Sequence, residues 1–225
     1  MEGAVGAIFR EKWTTREGRG VPEPKDLGLA NDGVYLNATV LYADLSDSTV
    51  LVDTVPAQVA AEIYKAFLVC AARLIVSEGG VITAYDGDRV MAVFVGEFKD
   101  TTAARTALRI NWATKNIVQT GYNNVYGSVY PYTIHHVVGV DTSKVLVARA
   151  GFRGANDLVW IGRAANYAAK LCALNHDYAT WITKDVYDRL ADASKLADQV
   201  NMWKLWQWTQ MNNAPIYSST YWWAL

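Results

Sequence analysis

The chain has 225 residues, 52% of them apolar, which is enough to bury the core of one α/β domain. Its 21 Lys and Arg residues nearly balance its 22 Asp and Glu residues, which argues against a general nucleic-acid binder or a polybasic membrane binder. No stretch approaches the roughly 20 consecutive apolar residues of a membrane span, and the N-terminus lacks a signal-type apolar run. We therefore expect a cytoplasmic protein, with Cys70 and Cys172 as buried thiols rather than a disulfide or a metal site.

The first third of the chain combines a polar arm, a strand and a helix. Residues 1–33 mix glycine, proline and charges, which predicts an arm that is disordered or packs on a partner. Residues 35–43 are β-branched and apolar and predict a strand. After a polar loop, residues 55–76 carry apolar side chains at helical spacing, and a Gly-Gly pair at 79–80 ends that helix.

The elements after this helix alternate between strands and helices, with hairpin turns predicted at 86–88 and 141–144. This alternation predicts an α+β domain over residues 34–200, with one antiparallel-rich sheet and helices on one of its faces. In chain order the elements are strands 81–85 and 90–95, helix 102–118, strands 132–140 and 145–150, helix 162–174, strand 180–182 and helix 185–190.

The C-terminal extension, residues 201–225, is rich in tryptophan. Five of the nine tryptophans of the chain lie within it. Such a cluster either packs in the core or over a sheet face, or forms part of a dimer interface, and the sequence leaves both roles open.

Two aspartates occupy positions suited to cations and phosphates. Asp44 ends an apolar strand and precedes a small polar loop and a helix, a place where a carboxylate can hold a metal ion. Asp88 lies in the 86–88 turn, where aspartate is also ordinary turn chemistry. A helical crossover between neighbouring strands would bring both carboxylates to one sheet edge, where they could bridge two divalent ions about 4 Å apart.

Four sequence blocks, in this order, resemble the class III adenylate and guanylate cyclase catalytic domain. The resemblance spans residues 35–190 and implies a ferredoxin-like fold, with an antiparallel-rich sheet and flanking helices. The first block is YADLSDST at 42–49, similar to the family's aromatic-x-Asp-Ile-x-Gly-Phe-Thr loop. The second contains the Gly-Gly and Gly-Asp pairs within 79–94, and the third is the strand pair ending in glycine at 138–151. The fourth is GRAANYAAKL at 162–171, similar to the family's Gly-x-x-Val-Asn-x-Ala-x-Arg-Leu helix.

The resemblance assigns roles to five residues. It implies that Asp44, Asp88 and the backbone carbonyl of Leu45 hold two Mn²⁺ or Mg²⁺ ions per site. Asn166 would orient the ribose, and Lys170 replaces the arginine that meets charge on the α-phosphate. In this family the metals come from one subunit and the Asn/Arg pair from the other, so a homodimer with shared sites is implied. The three histidines receive no catalytic role.

The departures from the family concern the base. Ala84 and Val159 stand where adenylate cyclases have a lysine and an aspartate that read adenine, and the guanine-type pair is also absent. A site without those groups does not select a purine. The sequence leaves two interpretations: an enzyme that reads another base, or an inactive cyclase-homology module that binds nucleotide. The retained aspartates and Asn166 favour the enzyme.

Free-standing cyclase domains with such departures resemble the pyrimidine cyclases of bacterial antiphage Pycsar systems. These make cyclic UMP or cyclic CMP, which a separate effector reads. The implied substrate is UTP, with CTP left open, and the Gly-Gly-Asp/Glu-Glu-Phe hairpin of cyclic dinucleotide synthases is absent. The predicted substrate-binding residues are Ser46, Asp47, Ser48, Thr49, Ala84, Tyr85, Arg89, Val159 and Trp160, of which Tyr85, Arg89 and Trp160 also suit turn, core or interface positions.

Overall fold

The computed structural model describes residues 1–225 and contains seven α-helices and eleven strands. None of these helices combines the length and hydropathy needed to cross a bilayer. The helices are α1 (Glu2–Arg10), α2 (Ser48–Thr54), α3 (Ala57–Ser77), α4 (Lys99–Ala113), α5 (Gln119–Tyr126), α6 (Arg163–Cys172) and α7 (Lys184–Arg189). The strands are β1 (Thr14–Glu17), β2 (Asp32–Leu45), β3 (Val81–Asp86), β4 (Arg89–Phe94), β5 (His136–Phe152), β6 (Ala155–Ile161), β7 (Thr180–Thr183), β8 (Leu196–Ala197), β9 (Val200–Asn201), β10 (Lys204–Trp208) and β11 (Ala214–Ser219).

Nine of the strands form one sheet, in the order β10-β11-β7-β5-β2-β4-β3, with β1 added beside β2 and β6 beside β5. The long central strands β2 and β5 run antiparallel, from Gly33 opposite Ala148 to Leu45 opposite His136. The pairs β5–β7 and β1–β2 are parallel, and the other pairs of this sheet are antiparallel. The α+β fold with an antiparallel-rich sheet is therefore confirmed.

Helices cover both faces of the sheet, which corrects the expectation of helices on one face. Side chains of β2 alternate between two cores, because successive residues of a strand point to opposite faces. Leu41 packs in the core that includes α3 and α4. Its neighbour Val40 packs in a second core with Ala164 and Ala168 of α6. Because β2 is buried on both sides, its sequence is almost continuously apolar.

Helix α6 approaches β5 closely at Gly139. A Cβ atom built there would lie 2.2 Å from the carbonyl oxygen of Ala168. We predict that Gly139→Ala lowers the free energy of unfolding by about 3 kcal/mol, because the helix must move to admit the methyl group. Gly121→Ala in α5 is the control: open space surrounds Gly121, and alanine favours a helix by about 0.5–1 kcal/mol. Equal urea midpoints for the two variants would contradict this account of the packing.

The predicted strand pair around 141–144 is wrong, because β5 is one continuous strand. Asp141 is fully buried and contacts Nε of Arg163 at 3.1 Å and the Thr183 hydroxyl at 2.5 Å. Thr142 donates a hydrogen bond to the Ala38 carbonyl of β2. The polar side chains of Asp141 and Thr142 therefore form hydrogen bonds with residues that are distant in sequence, and they do not form a turn. The hairpin lies further along, between β5 and β6.

Two predicted helices have different bounds in the structure. The helix predicted at 55–76 is α3, which begins at Ala57 after Pro56, and a separate helix that was not predicted, α2, precedes it at Ser48–Thr54. Proline lacks the backbone N–H that an uninterrupted helix would need at this position. The helix predicted at 102–118 begins at Lys99 and continues through a π-helical turn, Thr114–Val118, into α5.

The sheet extends into both terminal segments. In residues 1–33, β1 pairs with the start of β2, and the Asn31 amide donates to the carbonyls of Ile8 and Glu11 at 2.8 Å. In residues 201–225, β10 and β11 join the sheet through β7. Trp203 and Trp208 are buried, whereas Trp222 is half exposed. Of the two roles left open for this cluster, core packing holds for Trp203 and Trp208.

Candidate functional site

The structure brings Asp44 and Asp88 together at one end of the sheet. Asp44 is the penultimate residue of β2, and Asp88 lies in the turn between β3 and β4, where β4 pairs directly with β2. Burial, followed by the negative charge of Asp88, raises the pKa of Asp44 to about 6. The two carboxylates therefore lie within electrostatic reach of each other, as their placement on neighbouring strands predicts.

The arrangement fits a divalent cation. The Oδ2 atom of Asp88 is buried and has no hydrogen-bond partner in the chain. A buried carboxylate oxygen without a partner is unfavourable unless a cation or a donor compensates it. Carboxylate and carbonyl oxygens are the donors that Mg²⁺ and Mn²⁺ prefer. No third acidic, histidine or cysteine ligand joins the pair, so other ligands would come from the backbone, water or a bound substrate.

Arg89 lies beside this carboxylate pair. Its guanidinium contacts Asp86 at 2.8 Å and lies 5.4 Å from the centre of the Tyr42 ring. The positive charge of Arg89 partly offsets the rise in the pKa of Asp44. Its Nε atom is buried without a partner, and the contacts with Asp86 and the Tyr42 ring hold its guanidinium at the site, so Arg89 is not simply a solvated turn residue.

The loop after β2 forms one wall of a cavity of about 320 Å³. Its two walls are residues 44–47 and residues 172–176, which follow α6. The Ser46 amide donates to the His135 carbonyl at 2.9 Å, and α2 begins at Ser48 and includes Thr49. Of the four predicted loop residues 46–49, Ser46 and Asp47 therefore lie beside Asp44 in a cavity with room for phosphate groups, whereas Ser48 and Thr49 belong to the first turn of α2 and do not line it.

Asn166 and Lys170 are not brought to this cavity within one chain. Both side chains are exposed on α6, on the side opposite its buried alanines. Asn166 makes no side-chain hydrogen bond, and the Lys170 ammonium lies 3.5 Å from the Met211 sulfur. The pair shares one helical face, as its spacing of four predicts, and that face is open to another molecule.

The predicted base-reading residues lie on the two hairpins. Ala84 pairs with Met91, which pairs with Tyr42, so these three residues form a row across the sheet. Tyr85 is exposed on the opposite face of β3.

Val159 and Trp160 also point to opposite faces, in their case of β6. Trp160 packs against the core beneath α6, whereas Val159 is exposed. Their side chains therefore cannot approach a base from the same face of the strand.

Two residues near the site were missed by sequence reasoning. Tyr64 of α3 has a raised pKa, through burial and then through the charge of Asp88. His176 lies 2.9 Å from the Asp47 carboxylate and stacks on His135. The helical pattern of α3 gave no signal for Tyr64 beyond its position next to a core residue. The pairing of His176 with Asp47 joins two loops far apart in sequence.

Comparison with known proteins identifies close relatives, although no protein-family model matches the chain. The uridylate cyclase of Xanthomonas perforans is 49% identical over 219 residues, covering 97% of this chain and 94% of that protein. The uridylate cyclase of Burkholderia cepacia is 51% identical over 223 residues, covering 98% and 96%. The uridylate cyclase of Rhodovulum sp. is 38% identical over 216 residues, covering 93% and 90%.

Solved structures of similar fold are more distant in sequence. The adenylyl cyclase CyaB from P. aeruginosa superposes with a TM-score of 0.70 at 18% identity, covering 84% of this chain and 95% of that one. The guanylyl cyclase Cya2 gives a TM-score of 0.70 at 16% identity, covering 84% and 94%. At these identities the likeness establishes the fold and nothing finer.

Proposed function

Because this chain belongs to the same family as the uridylate cyclases of Xanthomonas perforans and Burkholderia cepacia, we propose that it converts UTP into 3′,5′-cyclic UMP and pyrophosphate. The observation that carries the proposal is the carboxylate pair, with Asp88 Oδ2 buried and unpartnered beside Asp44. The cyclic product would serve in the cytoplasm as an antiphage messenger for a separate effector, a role supported by the sequence resemblance to Pycsar cyclases.

The reaction is tested by incubating the protein with each of the four nucleoside triphosphates and Mn²⁺, then identifying the products by mass. We expect cyclic UMP and pyrophosphate from UTP, and no cyclic product from ATP or GTP, because no purine-reading pair stands at positions 84 and 159. Cyclic CMP as the main product would make the enzyme a cytidylate cyclase. Nucleotide binding without pyrophosphate release would make it a binding module and contradict the proposal.

Asp44, Asp88 and the Leu45 carbonyl are the groups that would hold two Mn²⁺ or Mg²⁺ ions. Bound there, the ions supply activation of the ribose 3′-hydroxyl and neutralisation of the triphosphate charge. The chain contributes the orientation of these oxygens: β2 fixes Asp44, and the β3–β4 turn fixes Asp88. Arg89, anchored between Asp86 and Tyr42, adds a fixed positive charge beside the carboxylates.

Metal binding can be measured by thermal unfolding, without any catalytic turnover. Saturating Mn²⁺ should raise the Tm of the metal-free protein by about 5 °C or more, because a ligand that binds the native state stabilises it. The shift should disappear in a variant carrying both Asp44→Asn and Asp88→Asn. The exposed Asp53 of α2 supplies the control, and Asp53→Asn should keep the full shift. An undiminished shift in the double variant would refute the assignment of the ligands.

Asn166 and Lys170 would act from a second copy of the chain. Their exposure on α6, away from the cavity beside Asp44 in their own chain, supports a homodimer in which each site combines two subunits. Lys170 would meet negative charge that develops on the α-phosphate, and Asn166 would orient the ribose. Lysine offers a point charge rather than the two-pronged contact of arginine, so it neutralises charge with less geometric control.

A further inference from the structure

The C-terminal hairpin, β10 and β11, packs against α6, the helix that carries Asn166 and Lys170. The two strands pair with each other, and β11 joins the sheet beside β7. Trp208, at the end of β10, is buried in one cluster with Leu171 of α6. Its ring also meets the Tyr167 ring edge to face, with the centroids 5.4 Å apart. Buried aromatic packing therefore fixes the hairpin against one side of α6.

The turn of this hairpin places Met211 next to Lys170. After β10 the chain makes a 3₁₀ turn, Thr209–Met211, and then reverses through two asparagines in the left-handed backbone region, with φ angles of +55° and +57°. Asparagine tolerates this region better than most residues with a side chain. Met211 packs against the same cluster as Trp208, and its sulfur lies 3.5 Å from the Lys170 ammonium. The contact therefore ties the end of the Lys170 side chain to the hairpin.

Lys170 has no carboxylate partner. The eleven ion pairs of the chain are formed by other cationic side chains. A thioether is a weak, uncharged acceptor, so Met211 leaves the positive charge of Lys170 available. A carboxylate in its place would neutralise that charge. The contact therefore restricts where the ammonium lies without cancelling the charge that it would offer to a phosphate.

This restriction matters because Lys170 stands where the class III cyclase motif has an arginine. Arginine presents a planar fork of donors, whereas lysine ends in a point charge on a flexible four-carbon stem. An exposed lysine stem samples many rotamers, and few of them direct the ammonium to one place. A charge stabilises a transition state best when it is already in position. The Met211 contact would therefore restore part of the positional control that is lost when lysine replaces arginine.

We propose that Met211 is a positioning residue that holds the Lys170 ammonium where it would meet the α-phosphate of a nucleotide bound to a second copy of the chain. This inference rests on the proposed function, which places Lys170 in a shared site. It assigns the C-terminal hairpin a role beyond the packing of its tryptophans. Met211 acts through Lys170 and is not assigned a contact with the nucleotide.

The test is a double-mutant cycle read by kcat and by KM for UTP. Met211→Ala should lower kcat about fivefold and change KM less than about twofold, because the charge that Lys170 meets develops in the transition state. In a Lys170→Ala background, Met211→Ala should change kcat by less than about 1.5-fold, because the group that it positions is gone. A purely structural loss would lower kcat by the same factor in both backgrounds.

Two further variants separate positioning from folding. Met211→Gln keeps an unbranched side chain with a neutral oxygen acceptor for the ammonium, and it should recover most of the lost kcat. Gln210→Ala is the matched control in the same turn, where Gln210 is exposed, and it should match the parent protein.

The contact itself can be measured without turnover, by NMR of the methionine methyl groups. The chain has four methionines, so the spectrum is simple, and Met211→Ala identifies the Met211 resonance by its loss. Lys170→Ala should shift this resonance and leave that of Met202 in place, because Met202 is buried in a separate core cluster.

The inference is overturned if Met211→Ala retains the parent kcat, if it lowers kcat equally with and without Lys170, or if Lys170→Ala leaves the Met211 resonance unmoved. Each of these results in a protein that makes cyclic UMP would contradict the inference alone. A Met211 resonance that does respond to Lys170→Ala, in a protein that makes no cyclic nucleotide, would contradict the proposed function and the catalytic role of Met211 together.

Discussion

Asp88→Asn should lower the rate of cyclic UMP formation by at least about 10³-fold, because it removes one of two carboxylates proposed to hold the metal ions. The loss should appear in kcat as well as in kcat/KM, since ions held by this pair would stabilise charge that develops in the transition state. The measurement is initial rate by pyrophosphate release, with Mn²⁺ saturating. Activity within tenfold of the parent would contradict the two-carboxylate site.

The matched control for this substitution is Asp86→Asn in the same turn. Asp86 is exposed and contacts Arg89, but none of its atoms is buried without a partner, so its loss should reduce the rate by less than about tenfold. Folding provides a second control. Removing the Asp88 charge relieves repulsion that helps to raise the pKa of Asp44, so metal-free Asp88→Asn should unfold at the same temperature as the parent or above it.

Mixing two inactive variants should restore activity if each site is shared between two chains. An Asp88→Asn chain keeps Asn166, and an Asn166→Ala chain keeps both aspartates, so their heterodimer holds one intact site. Random pairing of equal amounts makes half of the dimers heterodimers, and the mixture should show about one quarter of the parent activity. Each variant alone should be nearly inactive.

The control for the mixing experiment pairs Asp44→Asn with Asp88→Asn. Every site in that mixture lacks one metal ligand, so no activity should return. Heterodimers detected by native mass spectrometry in the first mixture, without recovery of activity, would show that Asn166 does not act across the interface.

The carboxylate pair could be predicted from the sequence because its signals are local. An aspartate at the end of an apolar strand and an aspartate in a tight turn are each read from a few neighbouring residues. The crossover helices connect β2 to β3, and the β3–β4 hairpin then places β4 between these two strands, beside β2. The same local signals predicted the helices α3, α4, α6 and α7 and the strands β2, β3, β4 and β7, but they divided β5 in two and missed β1, β6 and β8 to β11.

Two features were missed because polar side chains contact residues that are distant in sequence. Asp141 and its neighbours read as a turn, yet Arg163 and Thr183 bind Asp141 inside a continuous strand. Nothing near position 141 in the sequence reveals those partners. The contact between Asp47 and His176 was missed for the same reason, since it depends on how the loop after α6 returns to β2.

The sequence alone shows only in part which residues surround the base of the nucleotide. Ala84 and Val159 show which purine-reading groups are missing, but they do not show what replaces them. Val159 and Trp160 are adjacent in sequence and point to opposite faces of β6. In the proposed homodimer a second subunit would complete the pocket around the base, so the full lining of that pocket would be a property of the dimer rather than of one chain.

The central claim is that the carboxylate pair cyclises a pyrimidine nucleotide, and direct competition tests it most stringently. UTP, CTP, ATP and GTP are supplied at equal concentration in one reaction with Mn²⁺, and the cyclic products are quantified by mass, with Asp88→Asn as the blank. We predict that cyclic UMP is the main product and that cyclic AMP and cyclic GMP stay at the level of the blank. Cyclic AMP or cyclic GMP as the main product, or no product above the blank, would contradict the account.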